Sequence, residues 1–137
     1  MPAQDDTRPP FPTVYFDVRF RAPGPAAWPA RFVIVTAWAT TGERWTDAEN
    51  HRADAALLGR IQELGATPIR VTGYAPATGH AEPGWALDLD PDPALRLGSE
   101  FRQHAIYAVA GDTLCVLHCA DAREATVGSF RERLDLA

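Results

Sequence analysis

The chain contains no lysine; all 13 of its basic residues are arginine. With its abundant Ala, Pro and Gly, that bias reads as the codon usage of a GC-rich genome. Acidic residues outnumber basic ones, 18 to 13, for a formal net charge of -5. A general nucleic-acid binder needs a basic face to neutralise phosphate, so that class is not expected. No run approaches the roughly 18 consecutive apolar residues of a membrane span, so no membrane partner is expected either. Cysteine is scarce. Cys115 and Cys119 lie in TLCVLHCA, which reads as a strand, where four residues span about 13 Å. A disulfide needs Cα atoms within about 7 Å, so no intrachain bridge is expected. The start, MPAQDDTRPPFP, has neither a basic nor an apolar signal region. Free thiols without a signal suggest the cytoplasm.

Several reaction motifs are also missing. There is no G-x-G-x-x-G after a strand, no phosphate-binding P-loop, no G-x-S-x-G elbow and no H-E-x-x-H. His80-Ala-Glu82 matches the H-x-E of zinc deaminases, but the P-C-x-x-C those enzymes need is absent. Asp88, Asp90 and Asp92 resemble the opening of a calcium loop, but Pro91 and Pro93 occupy its flexible positions. They read as a strand end and a helix cap. No metal site and no cofactor can be assigned.

What is present fits one globular domain: 137 residues, 46% of them hydrophobic. Residues 1–12 hold four prolines and read as a disordered or loosely docked tail, leaving 13–137 as the domain. Alternation and β-branched content predict strands at 14–20, 31–38, 67–74, 84–90, 103–110 and 113–120. The second is apolar enough to be buried on both faces. Gly111-Asp112 joins the last two as a two-residue hairpin turn with Gly first, of type II′. Thr46 with Glu49 forms a capping box for a helix over 47–64, closed by Gly65. Asp92 caps a second helix reaching about Arg102, and a short helix is expected near 130–134. The order β-β-α-β-β-α-β-β predicts an α+β fold: a largely antiparallel sheet of about six strands with two main helices on one face.

The most informative residue is Asn50. At 100° per residue, Leu57 and Ile61 each lie about 20° from it and Leu64 about 40°. A polar side chain therefore heads the stripe that faces the core. It sits in the first helical turn, after a polar loop with Thr40, Thr41, Gly42 and Arg44 and after a strand ending Thr36-Ala37-Trp38. A strand end, a loop and a helix N-terminus converge there, as they do in many anion or polar-ligand sites. The plain alternative is that Asn50 bonds neighbouring main chain and Glu49 only completes the cap. In the hairpin, residues whose numbers sum to 223 pair, so His104 stands opposite Cys119 on the core side. A Cys-His pair can activate a thiolate, although a buried free Cys commonly acts as a small hydrophobe. Gln103, Tyr107 and His118 share the opposite face. The four tryptophans, Trp28, Trp38, Trp45 and Trp85, read as core and rim packing.

VTAW (35–38), Glu49-Asn50 within TDAENHRADAALLGRIQELG, VTGYAPATGHAEPGW and ALRLGSEFRQHAIYAV (94–109) resemble, in that order and spacing, a bacterial family known as domain of unknown function 3293. The resemblance covers roughly residues 31–118. It implies a compact bacterial domain and maps the family's motif residues onto Thr36, Trp38, Glu49, Asn50, Glu82, Phe101 and Gln103. It brings no activity, substrate or cofactor. The family pattern has Asn-Pro after Thr-Ala-Trp; this chain has Ala39-Thr40.

The leading expectation is a small-ligand-binding or regulatory domain with a pocket at the first-helix N-terminus. Asn50 and Gln103 would hydrogen-bond a small polar ligand, Thr36 would add a hydroxyl, Trp38 a wall, and Glu49 and Glu82 carboxylates. Two alternatives stand beside it. One is a small enzyme using Glu49 or Glu82 as general base. The other is a protein-interaction module using the terminal hairpin.

Overall fold

The computed structural model describes residues 11–24, 26–39 and 44–136. A single-turn 3-10 helix (Thr13–Phe16) leads into β1 (Arg19–Ala22) and β2 (Arg31–Thr36). Helix α1 (Asp47–Glu63) follows, then β3 (Pro68–Tyr74), β4 (Ala81–Leu87) and α2 (Pro91–Glu100). The chain ends in β5 (Ala105–Ala110), β6 (Thr113–His118), β7 (Glu124–Ser129), a short 3-10 turn (Arg131–Arg133) and β8 (Leu134–Leu136). All eight strands form one sheet in the order β7-β6-β5-β2-β4-β3-β1-β8.

The fold is α+β with two helices, as the pattern predicts, but the strand count and sheet type need correction. There are eight strands rather than about six, and the sheet is mixed because β8 pairs parallel to β1. The first expected strand, 14–20, is displaced. Tyr15 N–H donates to Pro12 O and Asp17 N–H to Val14 O, which winds its first half into the 3-10 turn. The expected helix near 130–134 is a three-residue 3-10 turn followed by β8. The second helix begins earlier than expected. Asp90 is its N-cap and Pro91 opens it, where proline's fixed φ suits a helix start. Residues 1–10 of the expected tail, and Thr40, Thr41 and Gly42, lie outside the described residues. Phe11 packs edge-on against Tyr15, Phe16 and His118.

Strand alternation divides the interior into two layers. Val33, Val35 and Ala37 of β2 and its end face Leu57 and Ile61 of α1 and Ala94, Leu95 and Leu97 of α2. Both helices therefore cover one face. Bidentate Arg70–Asp54 contacts, 2.9 and 3.1 Å, tie α1 to β3, and Arg60–Glu100 contacts tie α1 to α2. Leu64, expected on the apolar stripe, is the C-cap of α1 and is 41% exposed. The other residues of β2, Phe32 and Ile34, join a second core with Phe20, Val71, Leu114 and Phe130. Rings of Trp28, Phe32 and Phe130 meet there at centroid distances of 5.2–5.4 Å.

This second core exists because the sheet curls. β7 and β8 are its opposite edges, yet only residues 130–133 join them. Seven strand spacings of a flat sheet would measure about 34 Å. A chain from Ser129 to Leu134 reaches about 18 Å at most. The edges must therefore turn toward one another. Arg133 spans the gap, donating to Phe16 O (2.8 Å) and Val18 O (2.9 Å) near β1 and to Val127 O (3.3 Å) on β7. The aromatic core fills one end of the enclosed space.

Candidate functional site

The other end holds a cavity of about 590 Å³. It opens where β2 and β3 end and where β4 and β5 begin, beside the first turn of α1. Aromatic walls come from Tyr15, Trp38, Trp45, Tyr74 and Tyr107, and aliphatic surface from Val18, Ile34 and Ile106. Gly73 and Gly84 also line it. At Gly84 a Cβ would lie 2.7 Å from Val35 O, so only glycine allows β4 to pair with β2 at that point.

Five of the six residues singled out from the sequence line this one cavity: Thr36, Trp38, Asn50, Glu82 and Gln103. Two of them, far apart in the chain, meet on a single peptide group. Asn50 Oδ1 accepts from Ala39 N–H at 2.8 Å, and Gln103 Nε2 donates to Trp38 O at 2.9 Å. The Trp38–Ala39 peptide is thus held at both its polar atoms, by an amide from the first turn of α1 and one from the link between α2 and β5. Thr36 Oγ1 accepts from Trp38 N–H (3.1 Å) and donates to Pro83 O (2.7 Å), anchoring the same segment to β4. These contacts fit the plain alternative for Asn50: it satisfies main chain. They also set the wall of the cavity, because the clamped residues Trp38 and Ala39 line it. Asn50 is the sole asparagine in the sequence and, at 5% exposure, the one buried polar residue among those described.

Local chain geometry explains how Gln103 arrives there. Arg102 takes φ 61°, in the left-handed region. Gln103 N–H then bonds Gly98 O and Arg102 N–H bonds Ser99 O, the paired closing bonds of a Schellman motif. That reversal ends α2 and turns Gln103 toward β2. Arginine in place of the usual glycine gives no sequence signal for it.

Glu49 is the exception. Its carboxylate accepts from Thr46 N–H at 3.1 Å, and Thr46 Oγ1 accepts from Glu49 N–H, closing the capping box. It is exposed and does not line the cavity. Those bonds from Thr46 hold its pKa below the ordinary value, the wrong direction for a general base. The reading of Glu49 as a pocket carboxylate is corrected on this geometry.

Glu82 differs in every respect. It is the second residue of β4, and its Oε2 lies 3.2 Å from His80 Nε2. Its side chain is 32% accessible, with the cavity as the adjoining space. Burial pushes its pKa up, with His80 opposing that shift. His80 lies just before β4, and both it and Glu82 line the cavity.

The sequence carries no site signal for Tyr15, Trp45 and Tyr74. The signal for Tyr107 was the alternation that set it beside Gln103. Tyr15 and Tyr74 come into place through the 3-10 turn and the sheet curl, which have no local pattern. Tyr107 OH donates to Tyr15 O at 2.9 Å, and Tyr74 OH to Asp135.

A second hollow of about 340 Å³ lies beside Ser99, Gln103, His104, His118 and Cys119. His104 and Cys119 are opposed as the hairpin register predicts, with Cys119 N–H donating to His104 O. Burial pushes the Cys119 thiol up to about 11, which opposes a thiolate at neutral pH. Both cysteines are free. Asp88 accepts from Thr67 N–H, and Asp90 occupies the N-cap position of α2 without a side-chain capping bond. Among the described residues no cluster of three or more His, Cys, Asp or Glu is placed to hold a metal ion. No described helix is long and apolar enough to cross a membrane. The exposed large hydrophobics among described residues are Val14 and Leu64, neither on the terminal hairpin.

No curated protein and no solved structure matches this chain. Residues 35–106 match the model of a family described as "Protein of unknown function (DUF3293)". The match runs from the end of β2 to the start of β5 and contains all five cavity residues named above. It covers more than half of the chain, which therefore belongs to the DUF3293 family.

Proposed function

We propose that the domain binds a small molecule in the 590 Å³ cavity. The observation that carries this reading is the lining itself. A largely apolar, aromatic hollow with few polar groups, at the open end of a curled sheet, is the usual form of a small-ligand site. Its volume falls within the usual range of about 300–1,000 Å³. The Asn50–Gln103 clamp supports the reading in a modified form. The two amides shape the wall through the Trp38–Ala39 peptide, and the ligand meets aromatic rings and Glu82. The free thiols fit a reducing compartment, and we place the domain in the cytoplasm on that ground.

The test is a thermal-shift panel of aromatic and alicyclic small molecules on the wild type and on Gly73→Leu. A Cβ at Gly73 meets Phe20 and Val18 side chains at 3.5 and 3.6 Å, ordinary contact distances, so the backbone admits a side chain there, and a leucine is expected to take up space in the cavity that Gly73 lines. A ligand at 100 times its Kd adds about 2.7 kcal/mol to wild-type stability. The variant should show no such gain. Silence across the panel, or equal shifts in both proteins, would contradict the proposal.

A second reading is supported by Glu82 alone. A carboxyl with a raised pKa beside His80 is suited to general-base work on a bound substrate. Conversion of a ligand identified by the panel, lost in Glu82→Gln while binding persists, would establish it.

A further inference from the structure

Several polar atoms around the cavity are committed to other protein groups. Thr36 Oγ1 serves Trp38 and Pro83, Asn50 Oδ1 serves Ala39, and Gln103 Nε2 serves Trp38. The hydroxyls of Tyr107 and Tyr74 donate to Tyr15 O and Asp135. Glu82 is different. Among the described residues its hydrogen-bond partner is His80, reached through one carboxylate oxygen, and His80 itself is exposed. An ionised carboxylate has room for about four hydrogen bonds. A half-enclosed carboxylate with so few donors is poorly compensated. The cavity that Glu82 lines has aromatic rings in its wall as well, and ring faces attract cations. Arg44, the other formally charged lining residue, is exposed.

We infer that the cavity selects a ligand with an aromatic or aliphatic body and a protonated amine, with Glu82 as the amine's counter-ion. The inference rests on the cavity reading above and adds the ligand's charge class. An alkylammonium brings up to three N–H donors to the carboxylate and presents its charge to the rings of the wall. The apolar body occupies the space bounded by Ile34, Val18 and Tyr107. A carboxylate ligand of the same shape would meet Glu82 as a like charge, and a neutral one would leave it as poorly compensated as before.

Three probes with one indole body separate the cases: tryptamine, a cation at neutral pH; tryptophol, neutral; and indole-3-acetate, an anion. Calorimetric titration of the wild type should give tryptamine at least tenfold tighter binding than tryptophol, with indole-3-acetate weakest. In Glu82→Gln the preference for tryptamine over tryptophol should vanish while tryptophol binding persists. Equal wild-type binding of tryptamine and tryptophol would overturn the charge assignment and leave the cavity reading standing. So would a preference that survives Glu82→Gln. Failure of all three probes on the wild type would overturn the cavity reading for bodies of this size, and the charge assignment with it. Should Glu82→Gln fail to fold, the wild-type order of affinities decides alone.

Discussion

Asn50 and Gln103 lie far apart in sequence and act on one peptide group. Each bond satisfies a polar atom of the Trp38–Ala39 linkage, so losing either amide leaves a main-chain group without its partner. Asn50→Ala and Gln103→Ala should each destabilise the fold by about 1–3 kcal/mol. Because both grip the same plane, the double variant should lose less than the sum of the single losses, by about 0.5 kcal/mol or more. A chemical-denaturation cycle measures this, and strict additivity would show that the two amides act independently. Asn50 was legible in the sequence because a polar residue heading an apolar helical stripe is conspicuous. The direction of Gln103 was half legible: strand alternation set its face, but Arg102 in a left-handed conformation set its reach.

At the level of elements, sequence patterns located both helices and most of the strands. They failed where tertiary contacts decide. β8 has three residues, too few for any periodic signal, and docks through side chains of distant strands. Arg19 Nε and Nη2 bond Asp135 at 3.1 and 2.7 Å, and Tyr74 OH donates to the same carboxylate. The Arg19 guanidinium first, and Tyr74 second, lower the Asp135 pKa to about 2. An unfolded Asp titrates near about 3.9. The folded value lies below the unfolded one, so this contribution is complete above about pH 4 and is lost as pH falls toward about 2. Melting temperature followed between those values should fall less steeply in Asp135→Asn than in the wild type. The two should converge at the acid end. Parallel acid limbs would contradict a role for Asp135 in holding β8. The displaced β1 has a similar origin. VYFDVRF alternates like a strand, but Pro12 O captures Tyr15 N–H and turns the first half aside, which delivers Tyr15 to the cavity.

Across the whole molecule, the decisive property is the curl. Two sheet edges joined by four residues enclose a space that a flat sheet would not have, with an aromatic core at one end and the cavity at the other. Nothing in local periodicity encodes this closure. It follows from the shortness of a link between strands whose pairing partners lie elsewhere in the chain. The sequence placed a pocket at the start of α1 because a strand end, a loop and a helix terminus meet there. That the pocket continues beneath the sheet, with Gly73 and Gly84 in its lining, was visible only in three dimensions.

The claim on which the rest depends is that the ligand occupies the hollow while the amides hold its wall. A nuclear magnetic resonance titration with tryptophol, following backbone amides and the side-chain amides of Asn50 and Gln103, tests it most directly. The Gly73 and Gly84 backbone amides should shift together and saturate at one dissociation constant. The Asn50 and Gln103 side-chain signals should move far less, because their bonds to the Trp38–Ala39 peptide persist. Perturbations confined to residues outside the cavity would contradict the account.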